Sequence, residues 1–338
     1  MPSLWITSRD TIAKISSERV VIKPITNTSD LENTRTIPLI DVDLVILGSR
    51  AQFSSPLIHA LMKRNIPIFL MNSIGQITGN FLPPIAPHGS TRLAQYNKST
   101  DPKSHKTIAA AVIGAKIYNQ RRTLQRIAIS RGKSEKLAPL YRRFATRLEH
   151  LKTNKNSPDQ ILGIEGSASA DFYRAWADFL PTEFPFERRS RRPPLNPVNT
   201  CISFISTLIY QEMTAAIFAA SLDPALGHLH TTTNNRWSLA LDLIEPFRPV
   251  IAEALTLDLF SRSILDASHF TPLDSGGIHL NHQGRKKLIL HYEKRLERYF
   301  YSEHLGQRIT LRQVIRNTPI SYKKHLIQHS PLTPFRMN

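Results

Sequence analysis

The sequence is poor in cysteine, in acidic residues and in long apolar runs. Its 338 residues include one cysteine, Cys201, so no disulfide can form within the chain and no oxidising compartment is required. The N-terminus lacks the basic start and apolar run of a signal peptide, and no uninterrupted apolar segment is long enough to cross a bilayer. We therefore expect a cytoplasmic protein with no membrane partner.

The shortage of acidic residues leaves a large positive charge. The chain has 44 Lys and Arg against 26 Asp and Glu, a formal net charge of +18. Residues 1–85 hold 8 of the basic and 6 of the acidic residues, so sixteen of the surplus charges lie beyond residue 85. This segregation favours a polyanionic partner, such as DNA, for the C-terminal part. The alternative is a surface that is merely basic and soluble.

Residues 1–85 predict a small, mainly β domain. Short β-branched runs alternate with polar clusters, and the apolar spacing between Ser54 and Arg64 predicts one helix. No ionisable residues cluster here, which favours a scaffold or dimerisation role over catalysis. The predicted strands are Leu4–Thr7, Arg19–Lys23, Thr36–Ile40, Asp43–Leu47 and Ile66–Leu70.

The rest of the chain predicts helices. A stretch rich in proline from Pro83 to Pro87 marks a domain boundary, so residues 86–102 are interpreted as a linker and residues 103–338 as a helical domain. Within Lys106–Arg131 the cations, Lys116 among them, are assigned to faces away from the apolar stripe, which favours phosphate contact. The expected class is α+β: a small N-terminal mainly-β domain followed by a larger all-α C-terminal catalytic domain.

One stretch places an imidazole and two carboxylates close together. His230 precedes a polar loop, and the helical period after Leu239 puts Asp242 and Glu245 at i and i+3 on one face. Adjacent carboxylates repel, so the pair must bind a cation, meet an arginine or be solvated. A salt bridge with Arg236 or Arg248 is therefore an alternative to a metal site.

A third carboxylate is sought elsewhere, and Glu165 is the best candidate. It lies in a run of small and apolar residues, where Gly163 and Gly166 would let another backbone approach closely. A carboxylate carried into an interior site needs a partner, and a metal ion is one. Glu165, His230, Asp242 and Glu245 are thus the candidate catalytic residues.

Four blocks of residues resemble the CRISPR-associated endonuclease and integrase family Cas1 in order and spacing. They are Gly163–Gly166, Arg191–Asn199, Leu222–His230 and Leu239–Pro249. The resemblance implies that Glu165, His230 and Glu245 bind the catalytic metal, with Asp242 beside them. One departure is His228, which stands where the family usually has an aromatic, and it leaves open which imidazole reaches the metal.

The resemblance also implies the chemistry and the partners. One nitrogen and two carboxylates suit Mg²⁺ or Mn²⁺, with the imidazole favouring Mn²⁺. The implied reaction inserts short double-stranded DNA spacers into a CRISPR repeat by attack of a 3′-hydroxyl. The implied assembly is a homodimer joined by the small protein Cas2. A general or branched-DNA nuclease and a non-catalytic DNA-binding protein are the alternatives.

Several basic residues are candidates for nucleic-acid contact. The loop around Pro193 is too basic and proline-rich to be a core element, and three cations occupy the first turns of a helix that starts near Asn281. The candidates are Arg188, Arg189, Arg191, Arg192, Arg248, Arg285, Lys286 and Lys287.

Overall fold

The chain forms two compact units, residues 1–87 and residues 88–338. The structure is a computed structural model that describes residues 3–8, 10–25, 34–84, 88–132, 135–153, 156–190, 193–230, 236–274, 276–303, 305–328 and 330–338. Arg191 and Arg192, two of the predicted nucleic-acid contacts, lie outside these described ranges.

Unit 1 contains two four-stranded sheets and helix α1 (Ser55–Lys63). The strands are β1 (Ser3–Ile6), β2 (Thr11–Ser16), β3 (Arg19–Pro24), β4 (Arg35–Pro38), β5 (Leu44–Gly48), β6 (Gln52–Phe53), β7 (Ile68–Met71) and β8 (Ile77–Phe81). The first sheet has the order β1-β5-β7-β8, with only β7 and β8 antiparallel, and the second has the order β4-β3-β2-β6.

Strand β2 was absent from the sequence prediction. Its residues include a lysine, two hydroxyl side chains and an alanine, so it lacks the run of bulky β-branched residues that marks a strand. The side chain that it buries completely is the small Ala13, which pairs with Ile22 of β3. Ala13, Val20 and Ile68 belong to one aliphatic core that also includes Leu57 and Leu61 of α1.

Unit 2 is mostly helical, as the α+β prediction required, and carries two short hairpins that the sequence did not reveal. The helices are α2 (Gly89–Thr100), α3 (Pro102–Ser130), α4 (Ala138–Lys152), α5 (Pro158–Ala177), α6 (Pro197–Ala219), α7 (Ser238–Ile244), α8 (Ala254–Ser261), α9 (His282–Leu296) and α10 (Leu311–Gln328). The hairpins pair β9 (Phe270–Pro272) with β10 (Ile278–Leu280) and β11 (Tyr299–Ser302) with β12 (Gln307–Thr310).

Helix α2 occupies most of the segment that was interpreted as a linker. Gln95 of α2 is fully buried, and its side-chain amide donates to the carbonyl of Asp223 and accepts from the Asp223 backbone N–H, both at 2.8 Å. These two hydrogen bonds tie α2 to the loop that leads towards His230, because a buried amide must be paired at both ends.

The long helix α3 is the central element of unit 2 and packs against α5 and α4, while α6 packs against α7 and α10. Helix α5 begins with a capping box in which Ser157 and Gln160 exchange hydrogen bonds. Helix α7 ends at Ile244, with Glu245 as its C-cap, because Pro246 follows and cannot donate a backbone hydrogen bond. Helices α3, α5 and α7 therefore bring their polar residues to one region.

Helix α6 is the one helix among the described residues that is long and apolar enough to span a membrane by length and composition alone. Half of its most apolar window is buried within the protein, as happens in core helices. Cys201 lies on this helix and is buried, in agreement with a packing role.

Candidate active site

Glu165 projects from α5 and is mostly shielded, with its side chain 23% exposed. One carboxylate oxygen, Oε1, accepts a hydrogen bond from Ser169 Oγ at 2.8 Å and contacts Lys116 Nζ of α3. The neighbouring glycines do not have the predicted role, because Cβ atoms added at Gly163 or Gly166 would meet no atom within 4 Å. The buried face of this helix is formed instead by Ile161, Ala168, Phe172, Ala175 and Trp176.

Glu245 ends α7 and is more deeply buried, with 5% of the residue exposed. Its Oε2 lies 2.5 Å from Lys116 Nζ, and its Oε1 accepts from Arg248 Nη1 at 3.0 Å. The salt bridge with Arg248 that the sequence offered as an alternative is therefore present for Glu245. It coexists with a second cation on the other oxygen.

Lys116 joins the two carboxylates. This residue of α3 is 7% exposed, and its ammonium contacts both Glu165 and Glu245, which are 80 residues apart in sequence. Helical spacing grouped Lys116 with the solvated cations of this helix, and that placement is wrong because the side chain is buried. Its immediate neighbours Ala115 and Ile117 are fully buried, and this small, apolar context was the available signal of an interior lysine.

Asp242 organises the loop that carries His230. Its carboxylate is 1% exposed and accepts from three successive backbone N–H groups, of His228 at 2.5 Å, Leu229 at 3.0 Å and His230 at 3.0 Å. The Nδ1 of His230 lies 2.7 Å from the same carboxylate. A histidine that donates Nδ1–H to a carboxylate keeps Nε2 available as a ligand or base, so Asp242 fixes both the loop and the ring.

Gly227 makes this turn possible. A Cβ at this position would lie 2.7 Å from Ser238 Cβ and 2.9 Å from Asp242 Oδ2, so only glycine lets the loop pass this close to α7. The backbone N–H groups of the next three residues can then converge on one carboxylate.

His228 is oriented away from the carboxylates that Lys116 joins. Its Nε2 lies 2.6 Å from the Tyr322 hydroxyl, and its ring meets that of His105 edge to face at 4.8 Å. Burial lowers the pKa of His228 to about 4, so the ring is neutral at pH 7. Of the two histidines, His230 is the one held beside Glu245.

Burial and neighbouring cations shift the pKa values of Glu165 and Glu245 in opposite directions. Burial raises the pKa of Glu165, but the adjacent ammonium of Lys116 outweighs it, and the net pKa is lowered. Burial likewise raises the pKa of Glu245, and Lys116, Arg248 and the nearby His230 together lower it strongly. Both carboxylates are therefore ionised at neutral pH and stabilise a positive charge between them.

The described residues contain no three His, Cys, Asp or Glu side chains already close enough to form a metal-binding group. What they contain is two ionised carboxylates that share one ammonium, with an imidazole close enough to Glu245 to affect its pKa. A donor set of two carboxylates and one imidazole fits a hard or borderline divalent cation, provided that Lys116 moves aside.

A cavity of about 600 Å³ adjoins Glu165. Lys116 and Glu165 form part of its wall, and Tyr173, Arg188, Arg189 and Glu253 form other parts. The Tyr173 hydroxyl donates to Glu253 Oε1 at 2.6 Å, which ties α5 to the π-helical segment Pro249–Glu253 in the cavity wall. The cavity gives solvent-borne ligands a route to Glu165.

The predicted nucleic-acid contacts divide into internal and exposed residues. Arg248 is 8% exposed and its guanidinium binds Glu245, so the structure gives it a role inside the site. Arg189 donates to Asn199 Oδ1 at 2.8 Å and to Ser203 Oγ at 3.0 Å, and Arg285 donates to the carbonyl of Leu280 at 2.7 Å. The exposed members are Arg188, Lys286 and Lys287.

Residues 4–294 match the family model described as CRISPR associated protein Cas1. The chain belongs to the Cas1 family. A Cas4/Cas1 fusion from Rhodospirillum rubrum is 33% identical over 292 residues, which are 84% of this chain and 50% of the fusion, so the chain spans half the length of that relative. A Cas1 endonuclease from Methanocaldococcus jannaschii is 29% identical over 293 residues, covering 86% of this chain and 87% of the relative.

Solved structures share the Cas1 fold. A casposase bound to its integration product superposes with a TM-score of 0.84 at 22% identity, covering 100% of this chain and 95% of the casposase. A Cas1 protein from Thermotoga maritima gives a TM-score of 0.77 at 23% identity over 96% of this chain and 97% of its own. A Cas6-RT-Cas1–Cas2 complex gives 0.79 at 19% identity over 99% of this chain and 36% of that chain. The predicted α+β class and Cas1 membership are thus confirmed.

Proposed function

We propose that this Cas1 protein is a metal-dependent DNA integrase that inserts short DNA duplexes into a CRISPR repeat array. The observation that carries the proposal is a shared cation position. Glu165 of α5 and Glu245 of α7 both contact the ammonium of Lys116, so two carboxylates far apart in sequence face one positive charge. His230, whose ring is fixed by Asp242, is close enough to Glu245 to help lower the pKa of that carboxyl.

In this proposal Glu165 and Glu245 supply oxygen ligands and His230 supplies Nε2. Mg²⁺ and Mn²⁺ both accept such a set, and the imidazole favours Mn²⁺. Asp242 acts by positioning, because both of its oxygens are already used by N–H donors. A divalent cation held there would polarise a phosphodiester and stabilise the attacking and leaving oxygens.

The chain's own residues would bind and orient the DNA. The attacking 3′-hydroxyl gives its proton to solvent and forms a new P–O bond, while the bond from phosphorus to the leaving 3′-oxygen breaks and that oxygen takes up a proton. One phosphodiester thus replaces another. The cavity beside Glu165 would admit the reacting backbone, and the exposed Arg188 on its wall would contact a flanking phosphate. Water in place of the 3′-hydroxyl would give hydrolysis by the same groups.

The relatives support this reaction over simple binding. The Methanocaldococcus jannaschii protein is named an endonuclease, and the casposase of similar fold is bound to an integration product. The solved Cas6-RT-Cas1–Cas2 complex supports Cas2 as a partner. We further propose that residues 1–85 pair two copies into a homodimer, because this mainly β unit carries no cluster of ionisable residues.

The test is a strand-transfer assay. A labelled short duplex is incubated with supercoiled plasmid carrying the repeat, Mn²⁺ and the Cas2 partner, and covalent attachment of label to the plasmid is measured. We expect joined product that disappears with EDTA and with Glu165→Gln.

Matched variants separate the alternatives. Glu149→Gln is the control, because Glu149 is an exposed glutamate whose only described ion pair is with Lys152, and it should leave joining intact. Hydrolysed ends without joined product would favour a general nuclease. DNA binding with neither product, and no effect of Glu165→Gln, would leave only a DNA-binding protein.

A further inference from the structure

The ammonium of Lys116 occupies the place between Glu165 and Glu245 where a divalent cation would lie. Its Nζ is 2.5 Å from Glu245 Oε2 and also contacts Glu165 Oε1, and the residue is 7% exposed. A lysine buried to this degree needs anionic partners, and these two carboxylates are the ion-pair partners that the structure gives it. The lysine is therefore part of the site.

Charge counting indicates what happens when another cation enters. Glu165 and Glu245 carry two negative charges, and the cations paired with them, Lys116 and Arg248, carry two positive ones. The buried carboxylate of Glu253, which also acts on Arg248, adds one negative charge. A divalent cation that entered between Glu165 and Glu245 with Lys116 still in place would lie close to its ammonium and be repelled by it. Arg248 is held on the far oxygen of Glu245, so Lys116 is the cation in the way.

The adjoining cavity offers the Lys116 ammonium a second position. The Lys116 side chain forms part of the wall of the 600 Å³ cavity that also contains Glu165, Arg188 and Arg189. A lysine has a flexible four-carbon stem and three rotatable donors, so its ammonium can leave the carboxylates without movement of α3. In that cavity it would meet the phosphate backbone that the proposed reaction brings in.

We propose that Lys116 is an internal counter-ion that gives way to the divalent cation and then donates a hydrogen bond to a non-bridging oxygen of the reacting phosphate. This inference rests on the proposed function. It makes Lys116 a catalytic residue that touches substrate in the loaded enzyme and a competitor for the cation in the resting one. A purely structural lysine would stay between the carboxylates throughout.

Two substitutions of Lys116 have opposite expected effects on cation affinity. Lys116→Met removes the competitor, so Mn²⁺ should bind roughly tenfold tighter or more, which corresponds to about 1.4 kcal/mol. Lys116→Arg keeps the charge and offers a bidentate fork that holds carboxylates more firmly, so Mn²⁺ should bind more weakly than to the wild type. Both variants should join DNA more slowly, because neither places an ammonium on the phosphate.

Mn²⁺ binding is measured by titration calorimetry on the full chain, and thermal unfolding is recorded with EDTA and with Mn²⁺. In EDTA, Lys116→Met should melt below the wild type, since two carboxylates face each other unpaired. Mn²⁺ should raise its melting temperature by more than it raises that of the wild type. Arg295→Met, which removes another largely buried cation from Asp258, is the control and should show the wild-type response to Mn²⁺.

The outcomes separate this inference from the proposed function. If Mn²⁺ binds the wild type and binding needs Glu165, but Lys116→Met binds it no more tightly, then Lys116 is not a competitor and the inference is overturned. If Lys116→Met does not fold, Lys116→Arg decides, and unchanged Mn²⁺ affinity there counts against the inference. If the wild type binds no Mn²⁺, or binds it independently of Glu165, the proposed metal site fails and the inference fails with it.

Discussion

The two units of this Cas1 protein bury different kinds of side chain. In the part of unit 1 that the structure describes, the buried side chains are apolar apart from Ser3. In unit 2 the buried residues include seven Lys, Arg, Asp and Glu side chains: Lys116, Glu212, Asp242, Glu245, Arg248, Glu253 and Arg312. Buried charge is unfavourable unless it is paired, so its concentration in one unit indicates where chemistry takes place.

Among the described residues of unit 2 are two buried clusters of charged side chains, and one of them lines the cavity beside Glu165. Arg312 binds Glu212, Glu293 and Glu297 and joins α6, α9 and α10, and none of these four residues lines the large cavity. The cluster of Lys116, Glu165, Glu245 and Arg248 lines the cavity through three of its members. We infer that the Arg312 cluster stabilises the fold and that the Lys116 cluster binds ligands.

The largest expected effect is a loss of strand transfer on substitution of Glu245, a member of the Lys116 cluster. Glu245→Gln removes a charged ligand, and since a metal ion contributes several kcal/mol to such a reaction, strand transfer should fall about 10³-fold. The measurement is the rate of covalent joining under saturating Mn²⁺. Glu293→Gln is the matched control in the Arg312 cluster, where we expect lower thermal stability and nearly unchanged joining. Equal losses of activity in both variants would contradict the distinction.

A smaller effect is expected at Asp242. Asp242→Asn keeps the size of the side chain but weakens the hold on His230 Nδ1, so Mn²⁺ affinity or joining should fall about 10- to 100-fold. The readouts are Mn²⁺ titration and joining rate at fixed DNA. The control is Asp171→Asn. Asp171 lies on α5, the helix that carries Glu165, and the substitution weakens its ion pairs with Arg143 and Arg147 of α4. A larger loss in the control would mean that fold, and not His230 orientation, is being measured.

The sequence predicted those site residues whose positions follow from residue spacing or from a family motif. Asp242 and Glu245 share a helical face by spacing alone, and the match of four blocks to the Cas1 family added Glu165 and His230. Lys116 was missed because its pairing is set by the packing of α3 against α5 and α7, a contact between distant segments. Helical periodicity placed it with the solvated cations of the same helix.

The fold shows the same limit. The bulky β-branched strands of unit 1 were predicted, whereas β2 was not, because its buried Ala13 depends on partners in β3. Helix α2 was interpreted as linker because of the stretch rich in proline, Pro83–Pro87, that leads into it. Its order comes from tertiary contacts such as the hydrogen bonds of Gln95 to Asp223, which no local pattern encodes.

A small change in the apolar core of unit 1 tests whether the stability of that core is independent of Mn²⁺. Ile68→Val removes one methylene-sized group from a fully buried position, which should lower the free energy of unfolding by about 0.5–1.5 kcal/mol. Because no cation is involved, the loss should be the same in EDTA and in Mn²⁺. Urea denaturation followed by circular dichroism measures it. A loss that Mn²⁺ abolished would show that the stability of unit 1 depends on the site in unit 2.

The smallest expected effect concerns an exposed cation, in contrast to the buried Arg248. Lys286 lies on the surface of α9, and if it contacts a DNA phosphate, Lys286→Ala should reduce the slope of log affinity against log salt by about one unit. The melting temperature and the Mn²⁺ affinity of Lys286→Ala should not change.

Arg248→Lys should leave the salt slope unchanged and should lower the melting temperature and the Mn²⁺ affinity. Arg248 holds Glu245 from the interior, and a lysine cannot reproduce the same guanidinium contact. Fluorescence anisotropy across a salt series, run beside the melting curves, measures both. If the salt slope changed more for Arg248→Lys than for Lys286→Ala, DNA would have to contact the buried Arg248. Burial would then not distinguish the cations that bind DNA from those that hold the glutamates.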